Sequence, residues 1–246
     1  MKFLIAFFCL VSTFSSLAAQ ELITNGDFEA GNVSFGSDLL FDSSPPFINF
    51  NGQYAIGNNS SDWSPTPGNW ADLPDHTTGK GLMQIATPAF GEDRVWFQTV
   101  TVKPNSTYRF RGWAAHVTNT NPAILSINAG STSIGVFDLS IPPPATWAQF
   151  DFVWESHNQT VVELSITDLQ TTGSGNDFTL DDLSFAIDNE DLIGDANCDG
   201  EVNLLDVAPF VEAISTGVFI LKADVNQDGS VDLLDVAPFV DLLTGG

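Results

Sequence analysis

Towards the C-terminus, oxygen-bearing side chains recur at one fixed spacing. Asp195, Asn197, Asp199, Asn203 and Asp206 take the first, third, fifth, ninth and twelfth places of one stretch. Asp224, Asn226, Asp228, Asp232 and Asp235 take the same places in a second. Gly200 and Gly229 stand sixth, where the chain must turn sharply, and Glu201 and Ser230 stand seventh, where a backbone carbonyl would face inward. Carboxylate and amide oxygens are hard donors, and this spacing curls them around one point. The matching cation is calcium, which takes six to eight oxygens at about 2.3–2.6 Å. One such stretch alone could be an acidic, solvated turn. Two in tandem imply two calcium ions in EF-hand-type loops.

Each loop needs an element behind its last ligand. Leu-Leu-Asp-Val-Ala-Pro-Phe-Val stands at 204–211 and again at 233–240, within a longer repeat of 195–211 at 224–240. Pro209 and Pro238 lack an amide hydrogen and suit the first turn of a helix, not its interior. Short helices are therefore expected to begin near Asp206 and Asp235. The repeated octet is more apolar than two short solvated helices require, so part of it must pack between the repeats about a pseudo-two-fold axis. Leu204-Leu205 and Leu233-Leu234 either join that core or stay exposed as a docking patch, because exposed apolar patches mark interaction sites.

Asp rather than Glu at the twelfth position, and a helical pattern only after each loop, make residues 188–246 resemble a type I dockerin. The resemblance implies a small calcium-folded module that docks onto a cohesin-like protein in polysaccharide-degrading assemblies. The sequence departs from the family at positions ten and eleven. Small hydroxylated or polar residues often select the cohesin there, and this chain has Leu204-Leu205 and Leu233-Leu234.

The larger part of the chain, 20–187, has another rhythm. Val100 and Val102, Tyr108 and Phe110, Phe150, Phe152 and Trp154, and Val162, Leu164 and Ile166 each alternate with more polar neighbours. A period of two marks strands with one buried face. Pro, Gly, Asn and Ser clusters separate them, and no helical period is sustained before residue 190. The expected class is mainly β: a jelly-roll β-sandwich, followed by the small α-helical tandem calcium-loop domain. The stretch 41–73, rich in Asn, Ser, Pro, Gly and Trp, reads as long loops of the kind that often carry binding.

The sandwich opens with Asn25-Gly26-Asp27-Phe28-Glu29 and closes with Asn176-Asp177-Phe178-Thr179-Leu180-Asp181-Asp182-Leu183-Ser184-Phe185. Trp96-Phe97-Gln98, Pro104, Tyr108, Trp113 and Thr146-Trp147 lie between. These landmarks resemble carbohydrate-binding modules of families four, nine and twenty-two, among the galactose-binding-like jelly rolls. The resemblance implies a structural calcium joining the first and last strands, with Glu29 and Asp181 as its side-chain ligands. Sugars stack on aromatic faces and meet polar groups through their hydroxyls. Trp96 and Trp154 share parity with core residues, and Trp147 matches a packing position of the family. Trp113 shares a face with Arg109 and Arg111, which makes that face a cation–π patch or a binding face. Trp63 and Trp70, in the polar stretch, are either buried anchors or exposed platforms.

Composition limits the remaining choices. The formal net charge is -24, from 7 Lys and Arg against 31 Asp and Glu. Nucleic acid and anionic membranes need a positive field and are disfavoured as partners. Residues 1–19 read as a signal peptide: Met1-Lys2, an apolar run too short to span a bilayer, then small residues ending at Ala19. Removal of Cys9 with it would leave Cys198 alone and the mature chain without an internal disulfide. His76, His116 and His157 have no metal-ligand spacing, and no Gly-x-Ser-x-Gly elbow is present. The expectation is a secreted, non-catalytic protein, extracellular or at the cell surface. It would bind a polysaccharide or glycan and dock a protein through its calcium-dependent tail. A structural or adhesive envelope protein and a small glycoside hydrolase are the alternatives.

Overall fold

The computed structural model describes residues 21–47, 51–88, 92–172, 174–188, 192–197, 200–218 and 220–244. The expected signal peptide, Cys198 and Asp199 lie outside these residues. The described chain falls into two compact units, one within Gln20–Asp188 and one within Asn189–Gly246. Among the described residues no helix is long and apolar enough to cross a membrane.

Among its described residues the first unit has one short 3-10 helix, at Ser60–Trp63, and is built of strands. In chain order these are β1 (Leu40–Phe41), β2 (Gln53–Gly57), β3 (Met83–Thr87), β4 (Arg94–Thr101) and β5 (Thr107–His116), then β6 (Ile124–Ala129), β7 (Thr132–Asp138), β8 (Ala148–Glu155), β9 (Val161–Asp168) and β10 (Phe178–Ile187). They form a six-stranded sheet, β1-β2-β3-β10-β5-β8, and a four-stranded sheet, β4-β9-β6-β7. The alternation read from sequence is what packs the two together. Tyr108, Phe110, Phe150, Trp154, Val162, Leu164 and Ile166 all enter one core, as do Trp96 and Phe185.

One irregularity matters for the site. The pairing of β10 with β5 shifts between Asp181 and Ser184, and Asp182 has φ 48°. This bulge inserts one residue, so Leu180 and Leu183, three apart, both reach the inter-sheet core. Asp181 and Asp182 are left out of that core. Gly112, on the partner strand, makes room for the crowding: a Cβ there would lie 2.5 Å from both Leu183 and Phe150.

A second cluster covers the opposite face of the six-stranded sheet. Ala55, Met83, Ile85 and Ala115 alternate with inward residues, and Phe47, Trp63, Trp70 and Leu73 pack on them. The stretch 41–73 is thus not loop throughout: it supplies β2 to the sheet, while 58–73 folds back over the sheet face and buries Trp63 and Trp70 there.

Among the described residues the second unit has two α-helices, α1 (Val207–Thr216) and α2 (Val236–Thr244). Pro209 and Pro238 sit in their first turns, where the missing amide hydrogen costs no helical bond. Gly217 ends α1 in the left-handed region, φ 68°, donating its amide to Ala213 O at 3.0 Å. Phe210, Ala213, Phe239, Ala196 and Ala223 form the small core.

Candidate functional site: paired acidic loops and the carboxylate turn of the sandwich

In each loop the twelfth-position carboxylate ties the loop together. Asp206 accepts from Asn197 N at 3.0 Å and Asn203 N at 2.8 Å. Asp235 accepts from Asn226 N at 3.0 Å and Asp232 N at 2.9 Å. The first-position carboxylates take the amides of the turn glycines: Gly200 N to Asp195 at 3.1 Å and Gly229 N to Asp224 at 2.9 Å. Gly200 and Gly229 have φ 87° and 89°, a conformation that needs glycine. The ninth-position side chains cap the turn that follows, Asn203 accepting from Leu205 N at 2.8 Å and Asp232 from Leu234 N at 2.7 Å.

Asp195, Asp206, Asp224 and Asp235 are all buried. Lys222 reaches Asp195 at 3.3 Å; in the second loop, among the described residues, Asp224 and Asp235 meet only backbone amides. Two buried carboxylates without a counter-charge fit a divalent cation, since burying an unpaired charge is costly. Glu201, Asn226, Asp228, Ser230 and Asp232 are at the surface of the unit. Among the described residues no three His, Cys, Asp or Glu side chains are already gathered into a metal cage.

Glu29 and Asp181 both reach the turn before β3. Glu29 Oε1 accepts from Leu82 N at 2.7 Å, and Asp181 Oδ2 accepts from His76 N at 2.8 Å. Asp75, which sequence reasoning missed, belongs to the same turn and accepts from Thr78 N and Gly81 N at 2.8 and 2.7 Å. A Cβ on Gly81 would lie 2.0 Å from Glu29 Oε1 and 3.1 Å from Asp75 Oδ2, so both carboxylates close on that glycine. Burial pushes Asp181 up to about 8, and the charges of Asp182 and Asp75 push the same way, against hydrogen bonds from the His76 and Asp182 amides. No single residue here carries a motif; the turn and the β10 bulge bring the group together.

The expected sugar face is differently furnished. His76 lies flat on Trp113, with ring centroids 3.9 Å apart and planes 20° apart, and Trp147 meets His76 edge-on at 5.6 Å. His76 Nδ1 is 2.6 Å from Asp182 Oδ2. Arg109 pairs with Asp188 and Asp151 at 2.8 and 2.9 Å, and Arg111 pairs with Asp151 at 3.0 Å. Both cations are thus committed to carboxylates rather than held over Trp113. Trp63 and Trp70 take the buried alternative. Each packs on Phe47, and Trp70 Nε1 donates to Asp177 Oδ2 at 3.1 Å. Neither offers an open platform, because the stretch that carries them closes on the sheet.

Leu204, Leu205, Leu233 and Leu234 are 79%, 67%, 76% and 67% exposed. They take the exposed alternative, outside the core that Phe210 and Phe239 make.

Several solved structures resemble the chain at low identity. The CBM22-1 xylan-binding domain from Paenibacillus barcinonensis Xyn10C is 10% identical over 69% of this chain and 96% of its own, with a TM-score of 0.45. A Stig cyclase from Fischerella sp. TAU is 10% identical over 70% of this chain and 98% of its own, at 0.49. The enzymatically active domain of bacteriophage CBA120 tailspike protein 4 is 12% identical over 68% of this chain and 21% of its own, at 0.44. No curated protein sequence matches the chain. Residues 193–239 match the model of the dockerin type I domain, and the chain carries such a domain over that span.

Proposed function

We propose that this is a secreted, non-catalytic carbohydrate-binding protein whose C-terminal unit folds around calcium and docks onto a cohesin-like protein. The observation that carries the docking half is the dockerin match over paired loops whose Asp206 and Asp235 are buried and bonded alike. Calcium, when bound, would supply positive charge to the buried carboxylates of both loops. Asp195, Asn197, Asp199, Asn203 and Asp206 would hold one ion, and Asp224, Asn226, Asp228, Asp232 and Asp235 the other. Glu201 and Ser230 would contribute their backbone carbonyls. Glu29 and Asp181, joined by Asp75, are the residues for a further structural ion in the sandwich.

The carbohydrate half rests on the sequence landmarks of the binding modules and on the two-sheet sandwich that those landmarks imply. Retention of the full chain on soluble polysaccharides in affinity electrophoresis tests it, and capture by a panel of recombinant cohesins with and without chelator tests the docking half. Chelator-insensitive capture, or none, would count against calcium-dependent docking. A second reading, in which the sandwich makes protein contacts in an envelope or adhesive structure, is favoured by one observation. The lid of Phe47, Trp63 and Trp70 fills much of the sheet face where a glycan groove would lie.

A further inference from the structure

A polar pocket of about 380 Å³ opens where loop 65–70 meets segment 174–177, just ahead of β10. Its walls include Asn51, Thr66, Asn69, Trp70, Ser174 and Asp177. The volume is at the low end of small-molecule sites, which run from about 300 to 1,000 Å³.

Asp177 is the chemically distinctive member. Its residue is 9% exposed, yet it borders the pocket. Its carboxyl accepts from Trp70 Nε1 at 3.1 Å and from the Thr87 side chain. A carboxylate has room for about four donors, so acceptor capacity remains. Burial pushes the group up to about 6, the sign of a carboxylate with too little solvation. A ligand that donates hydrogen bonds would relieve it.

The rest of the wall sets the ligand class. Asn51 and Asn69 bring amides, Thr66 and Ser174 bring hydroxyls, and each both donates and accepts. No Lys or Arg is among the described residues lining the pocket, so a phosphate, sulfate or uronate would meet Asp177 without a counter-charge. An uncharged ligand with several hydroxyls suits this set. Trp70 adds an indole to the wall, although its pyrrole N–H is already used.

Both walls are fastened before any ligand arrives. Ser64 Oγ donates to Thr66 O at 2.7 Å, Asn69 N to Thr66 O at 3.1 Å, and Ala71 N to Val117 O at 2.8 Å. Across the pocket, Asn121 Nδ2 donates to Ser174 O at 2.8 Å, Thr118 Oγ1 donates to Gly175 O, and Val117 N donates to Asp177 O at 3.0 Å. Val117 thus ties the two walls to each other through its own backbone. Such pre-organisation lowers the ordering cost of binding.

We propose that this pocket holds one neutral sugar ring, with Asp177 accepting from a ring hydroxyl and the Asn69 and Asn51 amides and Thr66 and Ser174 hydroxyls meeting others. The inference rests on the carbohydrate-binding reading above and moves the glycan contact from Trp113 to the loop 65–70 side of the sandwich.

The test uses the full chain in calcium. Affinity electrophoresis on soluble neutral polysaccharides, xylan among them, first establishes what the wild type retains. The Trp70 indole N–H signal of ¹⁵N-labelled protein, assigned with Trp70→Phe, is then followed during titration with the mono- and disaccharide units of a retained polysaccharide. The expected result is a saturable shift of Trp70, with at least tenfold weaker binding by Asp177→Asn and by Asn69→Ala. Asn69 is exposed, so its variant keeps the test decisive if Asp177→Asn unfolds. Unchanged binding in a folded variant, or a shift of the Trp113 indole with Trp70 still, overturns the pocket and leaves carbohydrate binding standing. No retention of the wild type on any polysaccharide overturns carbohydrate binding, and the pocket with it.

Discussion

Phe210 and Phe239 stack face to face, with ring centroids 4.0 Å apart and planes 17° apart. They hold the same place in the two copies of the octet, so the repeat folds onto itself through its own duplicate residue. Among the described residues this pair is the largest part of the core, whose other buried apolar members are alanines. Phe210→Ala or Phe239→Ala should cost about 3–5 kcal/mol, as for buried aromatic truncations. A core this small has no reserve of that size. The C-terminal unit should unfold in either variant while the sandwich keeps its own melting transition. Two unchanged transitions in differential scanning calorimetry would count against the stack as the organising contact.

The exposed leucines make a separate prediction. Leu204-Leu205 and Leu233-Leu234 stand outside that core, so changing either pair, or both, to Ser should leave calcium-dependent folding intact, within about 0.5 kcal/mol for surface substitutions. If the copies present equivalent docking faces, capture by a cohesin should survive either single-pair change and fail in the double. Loss of folding in a single-pair variant would return these leucines to the core.

The loops should respond independently to loss of their last carboxylate. Asp206→Ala removes the acceptor for Asn197 N and Asn203 N, and Asp235→Ala the acceptor for Asn226 N and Asp232 N. Each variant should bind one calcium ion fewer than the wild type by isothermal titration calorimetry. Full stoichiometry in both would show that the ions sit elsewhere.

The sandwich should lose stability between mild acid and neutral pH. Burial is the main cause that pushes Asp168 and Asp177 from 3.8 up to about 6. Between these values the folded chain keeps protons that the unfolded chain has released. Their contribution is therefore fully present below about 4 and is lost as pH rises through about 6. Asp38, Asp75 and Asp151 are shifted downward and act in the opposite sense, but only in stronger acid. Urea midpoints from pH 4.5 to 7.5 should fall, and Asp168→Asn should flatten the slope. Asn176 can support that variant: its Nδ2 donates to Asp168 at 2.8 Å, and its own buried Oδ1 has no partner among the described residues. A rising midpoint would contradict the assignment.

Much of this was legible from spacing alone. The period of two placed Trp96, Phe110, Phe150 and Trp154 in the core, because each strand has one face to bury and the side chains alternate. Pro209 and Pro238 located the helix starts, because a residue without an amide hydrogen tolerates few helical positions. Long-range pairing was not legible. Asp151 and Asp188 neutralise Arg109 and Arg111 only because β5 lies between β8 and β10, a strand order that no local pattern encodes. Asp75 escaped notice because it comes from a turn, and the β10 bulge that sets Asp181 beside it shows only as two successive acids. Trp63 and Trp70 sit among polar residues with no period, so their burial depended on 58–73 closing over the sheet that β2 joins.

Calcium titration of the chelator-stripped full chain, followed together by calorimetry and ¹⁵N–¹H spectra, tests the central claim most directly. The account predicts dispersed signals for 192–244 only after calcium is added, two ions taken up by the loops, and both lost together in the Asp206→Ala, Asp235→Ala double variant. Signals for 192–244 that are equally dispersed in chelator, with no heat of calcium binding, would contradict it.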